Sequence, residues 1–276
     1  MISILLATYN SEQFINEQID SLLKQTYTDW NLFIRDDLSV DKTPQIIKSY
    51  SEQYPNKIHI ISNNGESKKA YLNFVELLNN VDSDYYMFCD HDDVWLPNKI
   101  EISFKRMREV EIEGAPAIIH TDMKVVDNQL NIIHPSFWKY SNLLPEKTSF
   151  VEIVLCNCAN GCTMLFNKKA KEVALPNVAF ATMHDILLNQ SVAAKGGIIS
   201  PIYEPTVLYR QHIDNVVGAQ KRGACFYLRK LMHAKKLIKD NLYTWQMASK
   251  IKPIPLWLYV WTKFEIFYFK VVKNTI

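Results

Sequence analysis

The sequence predicts an α/β domain built on an open sheet, and three observations carry that prediction. Short apolar runs alternate with stretches of helical period over the first 110 residues, a pattern that places parallel strands and right-handed crossover helices in one sheet. Three of the apolar runs end in polar groups, at Thr8-Tyr9-Asn10, Asp36-Asp37 and Asp90-His91-Asp92-Asp93. Such sheets bind ligands beyond the carboxyl ends of their strands, so independent segments deliver polar chemistry to one edge. The length, 276 residues, suits one large domain or one domain with a tail.

The elements follow in order. ISILLA (2–7) is a strand. Asn10 offers a helix N-cap with Gln13 three residues on, ahead of Phe14, Ile15, Ile19, Leu22 and Leu23 at helical spacing. NLFIR (31–35) is a second strand, and Thr43-Pro44 opens a helix to about Tyr54. KIHIIS (57–62) is a strand, 70–80 a helix carrying Tyr71, Phe74, Val75, Leu77 and Leu78, and DYYMFC (84–89) a fourth strand. Pro97 suits the first turn of a helix running to about Val110. Beyond Ala115 the pattern loosens. Runs 117–122, 163–167, 197–200 and 206–210 read as strands, and 183–196 reads as a helix ended by Gly196-Gly197.

Charge divides the chain. Residues 219–276 hold 12 Lys and Arg against two acids, a net of +10; residues 1–218 hold 19 against 27, a net of −8. An acidic body with a basic tail points to an anionic partner for the tail. The opening MISILLATYN has no basic segment and no small-residue cleavage site, so it reads as a buried strand rather than a signal peptide. Five cysteines, an odd number amid buried-looking runs, favour a reduced cytosolic protein. Cys156, Cys158 and Cys162 lack paired C-x2-C knuckles and a fourth ligand, so they read as buried thiols rather than a zinc site.

The stretch YMFCDHDDVW (86–95) sets three carboxylates within four positions. Their mutual repulsion calls for a compensating charge, and a bound cation is the obvious one. Hard oxygen ligands suit Mg²⁺ or Mn²⁺.

Together, "SILLATYN", "QIDSLLKQTYTDWNLFIRDDLSVDKT" and "YYMFCDHDDVWLPNKI" resemble family 2 glycosyltransferases of the GT-A fold, whose central sheet is mixed. The later "CNCANGCTMLFN", "MHDILL" and "LYRQHIDNVVG" look like the bacterial rhamnosyltransferase branch. The likeness covers residues 1–218 and implies a GT-A domain there, with residues 219–276 as a helical C-terminal extension. It implies metal-dependent, inverting transfer of a sugar from a nucleotide donor. The donor is expected to be dTDP-β-L-rhamnose, and the acceptor a lipid-linked saccharide of a surface polysaccharide.

The same resemblance distributes roles. Asp90-His91-Asp92-Asp93 corresponds to the DxD motif, with Asp92 a direct metal ligand and Asp90 and Asp93 holding donor and acceptor groups. Thr8, Tyr9 and Asp37 are nucleotide contacts. Tyr9 would stack on the base, and Asp37 would accept the imide N–H that uracil and thymine both present. Asp36 is equally well a turn former. Lys68 and Lys69 would meet the diphosphate or simply start a helix. Asp185 is the general base and His184 an orienting or acceptor-binding neighbour. Gly161, beside Asn160, belongs to the acceptor loop. His212 completes the metal shell, and Arg210 pairs with phosphate or with the aspartates.

In the tail, 221–239 reads as a basic amphipathic helix, and LWLYVWTKFEIFYFKVV (256–272) as an aromatic helix interrupted by Lys263, Glu265 and Lys270. A spanning helix needs about 20 largely uncharged residues. The pair is therefore expected on an anionic membrane surface, peripheral to the cytoplasmic face, or against a second subunit; the acidic body opposes nucleic acid. Rival readings are a UDP-hexose donor on the same fold, a metal-dependent phosphohydrolase, and a non-catalytic binding module. No D-x-D-x-T/V nucleophile motif follows the first strand, which weighs against the phosphohydrolase.

Overall fold

The computed structural model describes residues 1–66, 69–212, 218–219 and 234–271. Lys68 and residues 220–233 of the basic tail segment lie outside the described residues.

The first strand shows why the sheet forms. In β1 (Ile2–Thr8) every side chain is buried. Ile2, Ile4 and Leu6 enter one core, and Leu5 and Ala7 the other. The period of two across a sheet covered on both faces gives an unbroken apolar run. β1 pairs in parallel with β2 (Trp30–Asp36) on one side and β4 (Tyr85–Cys89) on the other, and β2 pairs in parallel with β3 (Ile58–Ile60). The crossovers are α1 (Ile15–Leu23), α2 (Thr43–Gln53) and α3 (Lys69–Asn80).

Past β4 the sheet becomes mixed, as the resemblance implied. β8 (Met164–Asn167) runs antiparallel to β4 and to β6 (Ala117–Val126). β9 (Ile198–Arg210) is parallel to β6 and antiparallel to the two-residue β5 (Val94–Trp95). β7 (Ile132–His134) hangs on the end of β6. The strand order is β3-β2-β1-β4-β8-β6-β9-β5. One core lies under α1, α2 and α4 (Lys99–Val110). The other lies under α3, α7 (Lys168–Ala174) and α8 (His184–Ala194).

Several expectations are corrected. Asn10 does not cap α1: it takes φ +46°, its amide accepts Val40 N–H at 3.0 Å, and Ser39 Oγ accepts its own N–H at 2.8 Å. It pins the 36–41 loop, and the helix starts five residues later, at Ile15. The expected strands 197–200 and 206–210 are one strand, β9, crossing Pro201 and Pro205. Its pairing with β6 shifts register between Thr121 and Met123, and such an irregularity tolerates residues without an N–H. The two-residue β5, the hanging β7 and the short helices α5 (Phe137–Tyr140) and α6 (Phe150–Leu155) were not expected.

The tail helices, α9 (Ala234–Ile251) and α10 (Leu256–Val271), lie against the domain. Ala248, Ile254 and Tyr259 join the second core, and Ile266 packs with Leu144, Cys156 and Cys158. No described helix is long and apolar enough to cross a membrane.

Gly197, just before β9, has no room for a side chain. A Cβ there would stand 2.5 Å from the Pro116 carbonyl oxygen and 2.7 Å from Val192 Cγ1. Gly197→Ala is expected to destabilise the fold by about 1–3 kcal/mol, the cost of overpacking, and urea unfolding measures it.

Candidate functional site

At the carboxyl ends of β1, β2 and β4 the chain encloses a cavity of about 1040 Å³. Most of the expected site residues line it: Thr8, Tyr9 and Asp37 from the first two strands, Asp90 and Asp92 from the third, and Gly161, His184, Asp185 and His212 from beyond Asn160. Lys69 and Asn160 line it too. Arg210 and Asp93 do not, and their positions explain how the acidic loop is held.

The nucleotide-side wall is built by hydrogen bonds between strand ends. Thr8 Oγ1 donates to Asp36 Oδ1 at 2.9 Å, and Asp36 Oδ2 accepts Ser39 N–H at 2.8 Å, so Asp36 is a turn former. Asp37, one residue on, is buried; its carboxylate accepts Lys69 N–H at 2.9 Å, and its own N–H donates to the Thr8 carbonyl at 2.9 Å. Tyr9 is 53% exposed at the rim, its ring open to a flat ligand. Asn73, which sequence reasoning passed over, lines the same wall and accepts from Arg35 at 2.7 Å.

Arg210 is 2% exposed. Its backbone N–H donates to Asp93 Oδ1 at 3.1 Å, Nε to the Asp92 carbonyl at 2.8 Å and Nη1 to the Asn128 carbonyl at 2.6 Å; Nη2 pairs with Glu17, and the guanidinium lies 4.8 Å over the Phe14 ring. Of the two expected partners, phosphate or the aspartates, these contacts are to the second: Arg210 latches the acidic loop from beneath. Asp93, expected on the acceptor side, is fully buried, and burial together with Asp92 and Asp90 pushes its carboxyl well above the usual range. Lys99, also fully buried, interacts electrostatically with Asp93 on this underside. Its ammonium sits 4.6 Å over the Trp95 ring, and burial pulls it down to about 8 against the opposing pull of Cys162, Cys89 and Asp93.

Among the described residues, two arrangements could hold a metal. Asp90, Asp93 and Cys162 offer ligand atoms within 4.8 Å of one another. Burial raises the Cys162 thiol and keeps it protonated, and Lys99 already supplies positive charge there; that set fits Mg²⁺ or Mn²⁺ poorly. Asp92 and His212 fit better. Both line the cavity, and Asp92 Oδ2 lies 2.8 Å from His212 Nε2. Burial would raise the Asp92 carboxyl, but the hydrogen bond from His212 and the nearby His91 and His212 rings outweigh it and hold the carboxyl below its ordinary value. Asp90 beside it is pushed up to about 7 by burial and by Asp92 and Asp185. A cation would relieve that repulsion.

The opposite wall carries the candidate base. Asp185 stands in the first turn of α8, where Ile186 N–H donates to Oδ1 at 2.7 Å and Asn157 Nδ2 to Oδ2 at 3.3 Å. Burial dominates and pushes the carboxyl up to about 6. Asn157 was not anticipated as a site residue, although its segment, CNCANGCTMLFN, carries part of the family resemblance. His184 fills a slot between Phe74 and Phe88, at ring-centroid distances of 4.0 Å and 4.7 Å, and burial lowers it to about 3, so it is neutral. A Cβ on Gly161 would lie 2.1 Å from His184 Nε2. The close approach that this glycine allows is that of His184. Cys156 and Cys158, with Sγ atoms 3.6 Å apart, are buried and free.

With this geometry in view, the comparisons are consistent. The Glycosyl transferase family 2 sequence model matches residues 3–174. A dTDP-rhamnosyl transferase, RfbG of Shigella flexneri, is 29% identical over 78% of this chain and 74% of its own. The UDP-Glc:alpha-D-GlcNAc-diphosphoundecaprenol beta-1,3-glucosyltransferase WfgD of Escherichia coli is 29% identical over 59% of this chain and 58% of its own. S. aureus TarS 1-349 in complex with UDP-GlcNAc superposes with a TM-score of 0.58 at 17% identity, covering 91% of this chain and 71% of TarS. A Pyrobaculum calidifontis mannosyltransferase in complex with GDP-Man and Mn²⁺ superposes with a TM-score of 0.56 at 13% identity, covering 98% and 69%. The chain thus belongs to glycosyl transferase family 2, and its mixed α/β sheet has the GT-A fold of the glycosyltransferases it resembles.

Proposed function

We propose that the chain transfers L-rhamnose from dTDP-β-L-rhamnose, with inversion, to a lipid-linked saccharide during surface-polysaccharide synthesis, acting at the cytoplasmic face of the cell membrane. The observation that carries the transfer reading is the convergence of Asp37, Asp92 and Asp185 on one cavity from three separate parts of the chain. The rhamnosyl donor draws its support from the RfbG likeness. A UDP-hexose is the second reading, favoured by the named substrate of WfgD and by the ligand in the TarS structure.

The residues divide the work. Asp37 and Tyr9 bind and orient the nucleotide. Asp92 and His212 would hold Mg²⁺ or Mn²⁺, which when bound offsets the negative charge of the departing diphosphate. Asp185 takes the proton from the acceptor hydroxyl as that oxygen attacks the anomeric carbon. The bond from that carbon to the diphosphate oxygen breaks, and its electron pair leaves with the nucleoside diphosphate. Asn157 and Ile186 N–H fix the carboxylate. Asp93 serves from below, as a buried partner of Arg210; His184 and Gly161 shape the acceptor-side wall.

Asp185→Asn is expected to cut kcat by about 10²–10⁴-fold, the usual worth of a positioned base, with nucleotide affinity retained in calorimetry. Undiminished turnover would remove the base assignment. Because the base acts ionised and burial pushes its carboxyl up to about 6 in the free chain, kcat/KM should fall as pH drops through about 6 and level off above it; the pH–rate profile checks this. A chelator should abolish transfer. Asp92→Asn should raise the cation concentration for half-maximal rate by more than the roughly 10–100-fold that loss of an outer-shell partner costs. Full turnover without divalent ions would exclude the metal role. Nucleotide release from dTDP-rhamnose, offered beside UDP-hexoses, tests the donor, and preference for a UDP-sugar would overturn rhamnose.

A further inference from the structure

Helix α10 is apolar on two opposite faces, and the described residues bury only one. Tyr259, Thr262 and Ile266 point inward and are 3–7% exposed. Trp257, Trp261, Phe264 and Tyr268 are 71%, 61%, 67% and 56% exposed. Their spacing of four, three and four residues puts all four on one stripe of the helix, turned away from the buried set. A continuous aromatic stripe of this size on a surface marks an interaction site. The rings carry polar edges at Trp Nε1 and Tyr OH, chemistry that suits the boundary between water and hydrocarbon.

Charge identifies the occupant. Trp245 Nε1 donates to the Ile254 carbonyl at 2.9 Å, and Tyr259 OH reaches the Asn241 carbonyl at 3.3 Å, so α9 and α10 form an antiparallel hairpin. That register sets the first two turns of α9, with Lys235, Lys236 and Lys239 all exposed, beside the C-terminal half of α10. Residues 219–276 carry a net charge of +10. Two such surfaces repel each other, which disfavours a second copy, whereas an anionic lipid headgroup layer complements the lysines while its acyl boundary takes the rings. The hairpin is also tied to the cavity: Asn142 Nδ2 donates to the Lys270 carbonyl at 2.9 Å, and Ser141 and Leu143 on either side of Asn142 line the cavity.

From these observations we infer that the outward face of α10, with the lysines of α9, is a monotopic anchor for an anionic bilayer, and that it holds the acceptor-side rim of the cavity at the membrane surface. This deepens the proposed function and rests on the reading that the acceptor is carried on a lipid.

The test is co-sedimentation of the full chain with vesicles of equal parts phosphatidylglycerol and phosphatidylcholine, or of phosphatidylcholine alone, without sugar nucleotide or metal. Binding is expected to the anionic vesicles and to be lost in high salt. Trp257→Ser with Trp261→Ser and Phe264→Ser should weaken it more than tenfold, with transfer to a soluble saccharide acceptor unchanged. Each of Lys235→Gln, Lys236→Gln and Lys239→Gln should weaken it about fivefold, the equivalent of one surface lysine. In the unaltered chain, brominated phosphatidylglycerol should quench tryptophan emission, a readout independent of whether the variants fold. Failure of the unaltered chain to sediment with anionic vesicles would overturn the anchor. So would wild-type binding by the triple-serine variant, or a dimer that those substitutions split. Because no sugar is present, loss of the transferase reading would leave the sedimentation result standing.

Discussion

The site depends on keeping four carboxylates together without letting them push the loop apart. Asp90, Asp92, Asp93 and Asp185 interact electrostatically across the ends of β4 and α8. Arg210 is the main restraint from below. One residue joins the end of β9 to the Asp92 carbonyl, the Asp93 carboxylate, the Asn128 carbonyl beyond β6 and Glu17 in α1. Lys99 adds a second buried positive charge on the same side. A buried cation of this kind is costly to desolvate, and removing one partner leaves the others uncompensated. Interlocking, rather than net stabilisation, is what these charges supply. They present Asp92 upward, toward His212 and the cavity, and keep Asp93 down in the core.

Much of this was legible in the sequence, for a physical reason. Strands covered on both faces are unbroken apolar runs, so β1 and β4 announced themselves, β2 showed itself by Leu32-Phe33-Ile34, and the polar residues that end them had to meet at one edge. Asp37, Asp92 and Asp185, which line one cavity, were picked out that way or through motifs. What stayed hidden was the identity of partners far away in the chain. An arginine next to acidic motifs reads equally well as a phosphate ligand or a latch; the choice depends on Glu17 and Asn128, separated from it by 193 and 82 positions. Asn10 has good capping chemistry, but the 36–41 loop competes for it and wins. Pro201 and Pro205 look like breaks, yet a register shift in β6 carries the strand past them. Gly161 was placed in the acceptor loop by resemblance, and nothing in the sequence told that its open side is filled by the His184 ring.

The two walls of the cavity also have different kinds of support. The strand-end wall hangs on main-chain pairing between β1 and β2, with Asp37 fixed by the Thr8 carbonyl and the Lys69 amide. The facing wall is assembled from short helices and connections: Phe137, Ser141 and Leu143 around α5, Asn157 after α6, and Met183 and Ile186 at the start of α8. Its polar core is the chain of amides from Asn189 through Asn157 to Asp185.

That division separates two inheritances within one gene. On the proposed reading, residues before about 92 choose what is donated, and the segment between β7 and α8 chooses what receives it. Exchange of that later segment between related genes would redirect the product while the donor half and its latch carried on unchanged. On that reading, a single scaffold can change the acceptor it serves without changing the sugar it handles.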